Sequence, residues 1–273
     1  MRPGVAALLA ALSLLALGAA PAGEVVPLPA RMRDTGGGSQ LITAQAARAG
    51  ATSGTVTWWD LHGGRWVRAG SAPARFGAKG LVEGMERRQE TYTTPTGLYH
   101  LPFAFGVQSA PGGTRLRYRR VGPDSWSCQD NGSRSCNRWT QPRPADCRAT
   151  ESEHLVAYPR QYAHALVIGF NHSRPVRGRG AGIFLHVNGP GATAGCVPVP
   201  REAMRRILAW ADPARRPHIA IGTAGGATAI SRYRLRGFRP DQAGSGRIRP
   251  DQACEPGVIR AEDPGRHPPA AGR

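Results

Sequence analysis

Glycine and proline set the first limit on this chain. Its 273 residues carry 36 Gly and 24 Pro. Proline removes a backbone donor and glycine weakens a helix interior, so a helical bundle or coiled coil is excluded and short strands between turns are expected. From Leu41 the pattern turns to such strands. Thr55-Val-Thr-Trp-Trp, Arg65-Trp-Val and Leu98-Tyr-His-Leu place β-branched or aromatic residues between Gly or Pro. Residues 166–170 and 183–187 are near-continuous apolar runs, the pattern of a strand buried on both faces. One helix is predicted over residues 201–211, because Met204, Ile207, Leu208 and Ala211 share a face and Pro213 stops it. Residues 218–221 read as a further strand. The fold class is therefore mostly β, a mixed β-sandwich with a few short helices, and 40% hydrophobic residues can supply its core.

The first residues point to export. Arg2 is followed by an apolar run over residues 5–17, and Ala20-Pro21-Ala22 fits a small-x-small cleavage site. That run is short of the roughly 20 residues a spanning helix needs. Residues 1–22 thus read as a secretory signal, and the mature chain as extracytoplasmic, without stable membrane insertion. Residues 23–39 read as a flexible segment and 40–231 as one domain carrying a cysteine-bracketed insertion at about 124–150. Residues 232–273 form an Arg/Pro/Gly-rich tail, read as largely disordered, in which Arg-Pro-Asp-Gln-Ala occurs twice.

Charge and cysteine content narrow the partners. The chain has 36 Lys+Arg against 18 Asp+Glu, a net +18, and Lys79 is its only lysine. The arginines are scattered, with no basic helix or aromatic-basic signature, so nucleic acid is not an expected partner. Outside a cell, anionic wall polymers are the available polyanions. Five cysteines leave one thiol over in an oxidising compartment. Cys128, Cys136, Cys147 and Cys254 are the disulfide candidates, with Cys128–Cys136 and Cys147–Cys254 favoured among three possible pairings. Cys196 is then free. No Cys-x-x-Cys or His/Cys cluster has structural-zinc spacing, so neither metal nor cofactor is expected.

The chemistry concentrates in Ile183-Phe-Leu-His186-Val-Asn-Gly-Pro-Gly-Ala-Thr193-Ala194-Gly195-Cys196. A buried strand brings His186 to its end, a glycine-rich loop follows, and a cysteine arrives just before a helix. A free exported cysteine near a histidine is the minimal nucleophile–base pair, and an adjacent imidazolium would lower the thiol pKa. Cys196 is accordingly expected to label faster than free cysteine near neutral pH. The backbone amides of Gly195 and Cys196 can face a developing oxyanion. An inert buried cysteine beside a strand-end histidine is the bland alternative.

This run resembles the active-site signature of the YkuD-type L,D-transpeptidases, in which a histidine precedes a Ser/Thr-x-Gly-Cys element. Thr193-Ala-Gly-Cys196 matches that element and His186 the upstream histidine. Thr94-Pro-Thr-Gly-Leu-Tyr99 is similar to the family's T-P-x-G-x-[FY] element, Leu166-Val-Ile-Gly-Phe-Asn171 looks like the strand entering the site, and Ser152-Glu-His-Leu155 resembles a stretch of one secreted branch. The likeness spans roughly residues 40–223. It departs in having only nine residues between His186 and Cys196, Ala194 in place of the usual histidine, and Pro198 where an arginine or asparagine is common. That marks a short-loop branch.

The resemblance implies a YkuD-like catalytic fold and a two-step acyl transfer on peptidoglycan stem peptides. Cys196 would attack the carbonyl between a diamino acid and terminal D-alanine, and an amine or water would resolve the thioester. His186 would serve as base and then acid, steered by a backbone carbonyl that by position is Val187. Thr193 and Ala194 are possible substrate contacts. Carbapenems would acylate the same cysteine. An L,D-carboxypeptidase using the same thioester and a non-catalytic basic wall-binding protein are the alternatives. Thr94 to Gly97 reads as inner sheet or turn, Trp58, Trp59, Trp66, Trp126 and Trp139 as core or sheet-face residues, and the loop holding Asp130 and Asn137 as a lid or a stapled surface insertion.

Overall fold

The computed structural model describes residues 26–32 and 34–224. The signal segment, Cys254 and the duplicated tail lie outside the described residues. The strands are β1 (Gln40–Ala46), β2 (Ser53–His62), β3 (Arg65–Arg75), β4 (Leu81–Glu83), β5 (Thr94–His100), β6 (Ala104–Gly106) and β7 (Tyr118–Arg120). They continue with β8 (Trp126–Cys128), β9 (Arg138–Thr140), β10 (Ser152–His154), β11 (Ala165–Val167), β12 (Phe184–Val187), β13 (Val197–Val199) and β14 (His218–Thr223). Two helices, α1 (Leu28–Arg31) and α2 (Arg201–Trp210), and four short 3-10 turns complete the described chain. It is a mostly β protein, as its Gly/Pro punctuation predicts.

Three sheets form. Six strands run in the order β3-β2-β1-β14-β5-β4, five in the order β13-β12-β11-β6-β7, and three in the order β10-β8-β9. Both larger sheets mix parallel and antiparallel pairs, with β1 parallel to β14 and β12 parallel to β13. Ile42, Val56 and Ile219 of the six-stranded sheet share one core with Leu166, Leu185 and Val199 of the five-stranded sheet. Met204, Ile207 and Leu208 of α2 close that core, each fully buried aliphatic contributing about 1.5–3 kcal/mol. The helix starts on Pro200, whose carbonyl accepts from Met204 N at 3.0 Å, and ends at Ala211, ahead of Pro213.

A second, smaller core lies on the opposite face of the five-stranded sheet. Phe103, Phe105, Leu155, Tyr162, Phe184 and Cys196 belong to it. That arrangement explains the unbroken apolar run of β12: Leu185 and Val187 enter the large core while Phe184 faces the small one. The Thr94–Gly97 element lies in β5, inside the six-stranded sheet, and the fully buried Thr94 hydroxyl accepts from Gly77 N at 2.8 Å.

Leu28–Arg31 form one helical turn, and buried Met32 just after it packs on Leu41 and Ala220. One sequence expectation needs correcting here. The disulfide joins Cys128 to Cys147, with Cα atoms 6.2 Å apart, so neither favoured pairing forms. The register is the cause: Ser152 of β10 lies opposite Cys128 of β8, and Cys147 packs 3.1 Å from the Ser152 hydroxyl. Strand pairing thus carries Cys147 to Cys128, while Cys136 is buried elsewhere in the insertion.

Candidate active site

β12 and β13 build the site. Their parallel register sets Leu185 beside Val197, His186 beside Pro198 and Val187 beside Val199. Side chains alternate along each strand, so His186, Pro198 and, one step before β13, Cys196 share the face turned away from the large core. His186 and Cys196 line one pocket of about 380 Å³, together with Arg87, Gln129, Glu153 and Tyr162. Both residues are buried, at 5% and 8% exposure, so each reaches solvent only through that pocket.

His186 is oriented by its own strand. Its Nδ1 lies 2.8 Å from the Val187 carbonyl oxygen. A carbonyl only accepts, so Nδ1 carries the proton and Nε2 is left as the basic nitrogen. The Tyr162 ring meets the imidazole edge-on at 5.5 Å between centroids. Burial pulls the His186 pKa down to about 4, against an opposing contribution from the Val187 carbonyl; nearby Arg75 lowers it further.

Cys196 rests as a thiol. Its Sγ accepts from Phe184 N and donates to the Gly182 carbonyl, each at 3.4 Å. Burial pushes its pKa up to about 12, and the neighbouring Glu153 carboxylate raises it while Phe184 N–H and Arg87 lower it. Both shifts run against the expected thiolate–imidazolium pair. With His186 below neutral pH and Cys196 far above it, the pair is imidazole and thiol between those limits, because burial of the two side chains disfavours both charges. Thiolate forms only as its proton moves to His186, and Cys196 will label more slowly than free cysteine at neutral pH.

The glycine-rich loop between them is pinned from outside. Arg75 donates from Nη2 to the Gly189 carbonyl and from Nη1 to that of Gly191, both at 2.7 Å. Ala78 N donates to the Thr193 carbonyl at 2.9 Å. Thr193 acts within the loop, its hydroxyl donating to the Cys196 carbonyl at 2.9 Å and accepting from Gly195 N at 3.2 Å. The Gly195 amide, a sequence candidate for the oxyanion site, is thus engaged with Thr193 in this state. Gly195 has φ +143°, and a Cβ there would stand 2.6 Å from the Thr93 carbonyl, so only glycine fits. Ala194 lines the pocket and its carbonyl accepts from Arg87 Nη2 at 3.1 Å.

The insertion and β10, just after it, wall the pocket. Gln129, Thr150, Glu151, Ser152 and Glu153 contribute to its lining. Asn137 buttresses the approach to β12: its Nδ2 donates to the Phe170 and Asn171 carbonyls and its Oδ1 accepts from Gly182 N at 3.1 Å. Because Gly182 O holds the thiol, Asn137 reaches the nucleophile through one residue. Buried Asp130 is held by Arg148 at 2.8 Å, and that guanidinium keeps its carboxyl well below the usual carboxylate range. Trp58 is core, Trp139 packs edge-on against Phe103 and Phe105, and Trp126 stacks on His154.

Two charged residues escaped sequence reasoning. Arg87 is 5% exposed and lies against the nucleophile loop. Glu153 was visible only as part of a resemblance; its carboxylate accepts from the Tyr162 hydroxyl at 2.8 Å and its pKa is raised by burial. Removing that negative charge should ease thiolate formation. In Glu153→Gln, alkylation of Cys196 by iodoacetamide at alkaline pH is expected to be several-fold faster than in wild type. An unchanged or slower rate would remove Glu153 from the electrostatics of the sulfur.

Comparison with known proteins adds little to this geometry. No family model matches the chain, and no curated protein does. Among solved structures, that of Bd1075 from Bdellovibrio bacteriovorus is similar at 13% sequence identity and a TM-score of 0.35, over 68% of this chain. This chain spans about half of that protein, 48% of its length.

Proposed function

We propose that this protein is a secreted cysteine acyltransferase of the L,D-transpeptidase type, with Cys196 as nucleophile and His186 as general base and acid. The observation that carries the reading is the fixed tautomer of His186, whose basic nitrogen belongs to a ring that shares one buried pocket with a free thiol. The matched elements around residues 94–99 and 193–196 support the substrate class, peptidoglycan stem peptides, and the basic surface supports retention on anionic wall polymers.

In the first step the Cys196 sulfur attacks the carbonyl preceding a terminal D-alanine while its proton passes to His186. The resulting imidazolium is stabilised by the Val187 carbonyl on Nδ1. The C–N bond breaks, the proton leaves with the D-alanine amine, and a thioester remains. In the second step His186 takes a proton from an incoming amine, the thioester opens, and the thiol is regenerated. Water in place of the amine gives carboxypeptidation with the same residues. No charged resting pair is required.

The test incubates the protein from Gly23 onward with a disaccharide-tetrapeptide and a free D-amino acid, with products and intact protein read by mass spectrometry. Released D-alanine, an exchanged or cross-linked product and an acid-stable acyl adduct on the Cys196 peptide are expected. Tripeptide alone would turn the reading to a carboxypeptidase. No product and no adduct would overturn it in favour of a wall-binding protein.

A further inference from the structure

We propose that Arg87 is the positioning residue of the nucleophile loop, its guanidinium fixing the peptide before Gly195 and setting a buried positive charge toward the Cys196 sulfur. The inference deepens the acyltransferase reading and rests on it for its catalytic meaning, but the geometry stands by itself.

Arg87 draws three distant segments to one point. Nε donates to the Thr93 carbonyl at 2.8 Å, Nη1 to that of Arg179 at 3.1 Å and Nη2 to that of Ala194 at 3.1 Å. The first precedes β5, the second lies in the loop entering β12, and the third belongs to the loop that ends in Cys196. The guanidinium also sits over the Phe170 ring, 5.6 Å from its centroid. Glycines surround it because nothing larger fits: a Cβ at Gly180 would stand 1.9 Å from Nη1, and one at Gly195 3.0 Å from Nη2.

Stability alone does not account for this residue. Arg87 is 5% exposed and, among the described residues, forms no ion pair. Burying a guanidinium without a carboxylate is costly, and carbonyl acceptors offset that cost only in part. What the arrangement gains is a loop conformation and a field. With the Ala194 carbonyl held on Nη2, the Ala194–Gly195 peptide cannot turn over, so the direction of the Gly195 amide is set. The same cation faces the sulfur, where thiolate develops as the proton leaves for His186.

The other charged and titratable groups around that sulfur are Glu153 from β10, Tyr162 from the turn before β11 and His186 from β12, with Arg75 facing His186 across the glycine-rich loop. Glu153 opposes thiolate formation. Arg87 is the cation that favours it.

The experiment follows alkylation of Cys196 by iodoacetamide from pH 6 to 11, by peptide mapping, in wild type, Arg87→Gln and Arg87→Lys. Arg87→Gln is expected to react several-fold more slowly than wild type at each alkaline pH, less thiolate being present once the cation is gone. Arg87→Lys, which keeps the charge and loses the fork, should recover most of that rate. A Gln variant that reacts like wild type, or a Lys variant no better than Gln, would overturn the proposal. If Arg87→Gln shows no cooperative melt, Arg87→Met, which keeps the stem without the charge, takes its place: a reaction slower than that of Arg87→Lys supports the role, and an equal one overturns it. Alkylation requires no stem peptide. Failure of wild type to turn over such peptides would therefore count against the acyltransferase reading and leave the Arg87 result standing.

Discussion

Cys196→Ala is expected to lose acyl transfer by at least about 10⁴-fold, because no other residue lining the pocket offers a sulfur from which the thioester could form. The fold should tolerate the change. The Cys196 Sγ makes two contacts of 3.4 Å, and deleting one buried atom costs about 1 kcal/mol. A thermal melt within a few degrees of wild type, together with lost product and lost adduct, would tie the chemistry to this sulfur. Thr193 is the hydroxyl nearest in the loop, but it is committed to the Cys196 carbonyl and the Gly195 amide. Product surviving in Cys196→Ala would hand the nucleophile to another group and remove the basis of the mechanism.

His186→Gln is expected to lower turnover by about 10²- to 10⁴-fold, the range of a positioned general base. It should also change how the protein responds to acid. The wild-type imidazole has its pKa pulled from 6.5 down to about 4 by burial, so the unfolded chain takes up that proton first. Stability from this group is therefore full above pH 6.5, declines between 6.5 and 4, and is about 3 kcal/mol lower once both states are protonated. His172, lowered to about 4, and the lowered His100 and His164 act in the same direction. Urea melts at pH 7.5 and 4.5 should show wild type losing more stability than His186→Gln, with a common remainder from the other histidines. In wild type the acid limb of kcat/KM should fall near pH 4 rather than 6.5. Equal losses in the two proteins would mean that His186 does not rest neutral in the folded state.

Buried charge connects these predictions with those for Glu153 and Arg87. A buried thiol and a buried imidazole both prefer to be neutral. The two residues that alter this balance come from distant parts of the chain: Glu153 from β10, just after the insertion, and Arg87 from the segment between β4 and β5. The disulfide between Cys128 and Cys147 staples the base of the wall that presents Glu153, so the cysteine-bracketed insertion contributes to the site.

Local pattern was enough for much of this. Alternation and Gly/Pro punctuation located β2, β5, β12 and β14, the spacing of Met204, Ile207 and Leu208 located α2, and the unbroken run 183–187 announced a strand buried on both faces. The chain order of His186, a glycine-rich loop and Cys196 marked the candidate site, since register along one strand and a short loop leave those residues few places to go. What sequence could not supply were quantities set by long-range partners. Cys147 found Cys128 because β10 pairs with β8, an alignment that cysteine spacing does not encode. Arg87 gained its meaning from carbonyls as far as 107 positions away, and an arginine in a chain with 36 basic residues carries no mark of burial. The burial that weighs on the charges of His186 and Cys196 is of the same kind. A nearby imidazolium is a local idea, whereas the desolvation that opposes it comes from elements distant in the chain that pack around the pair.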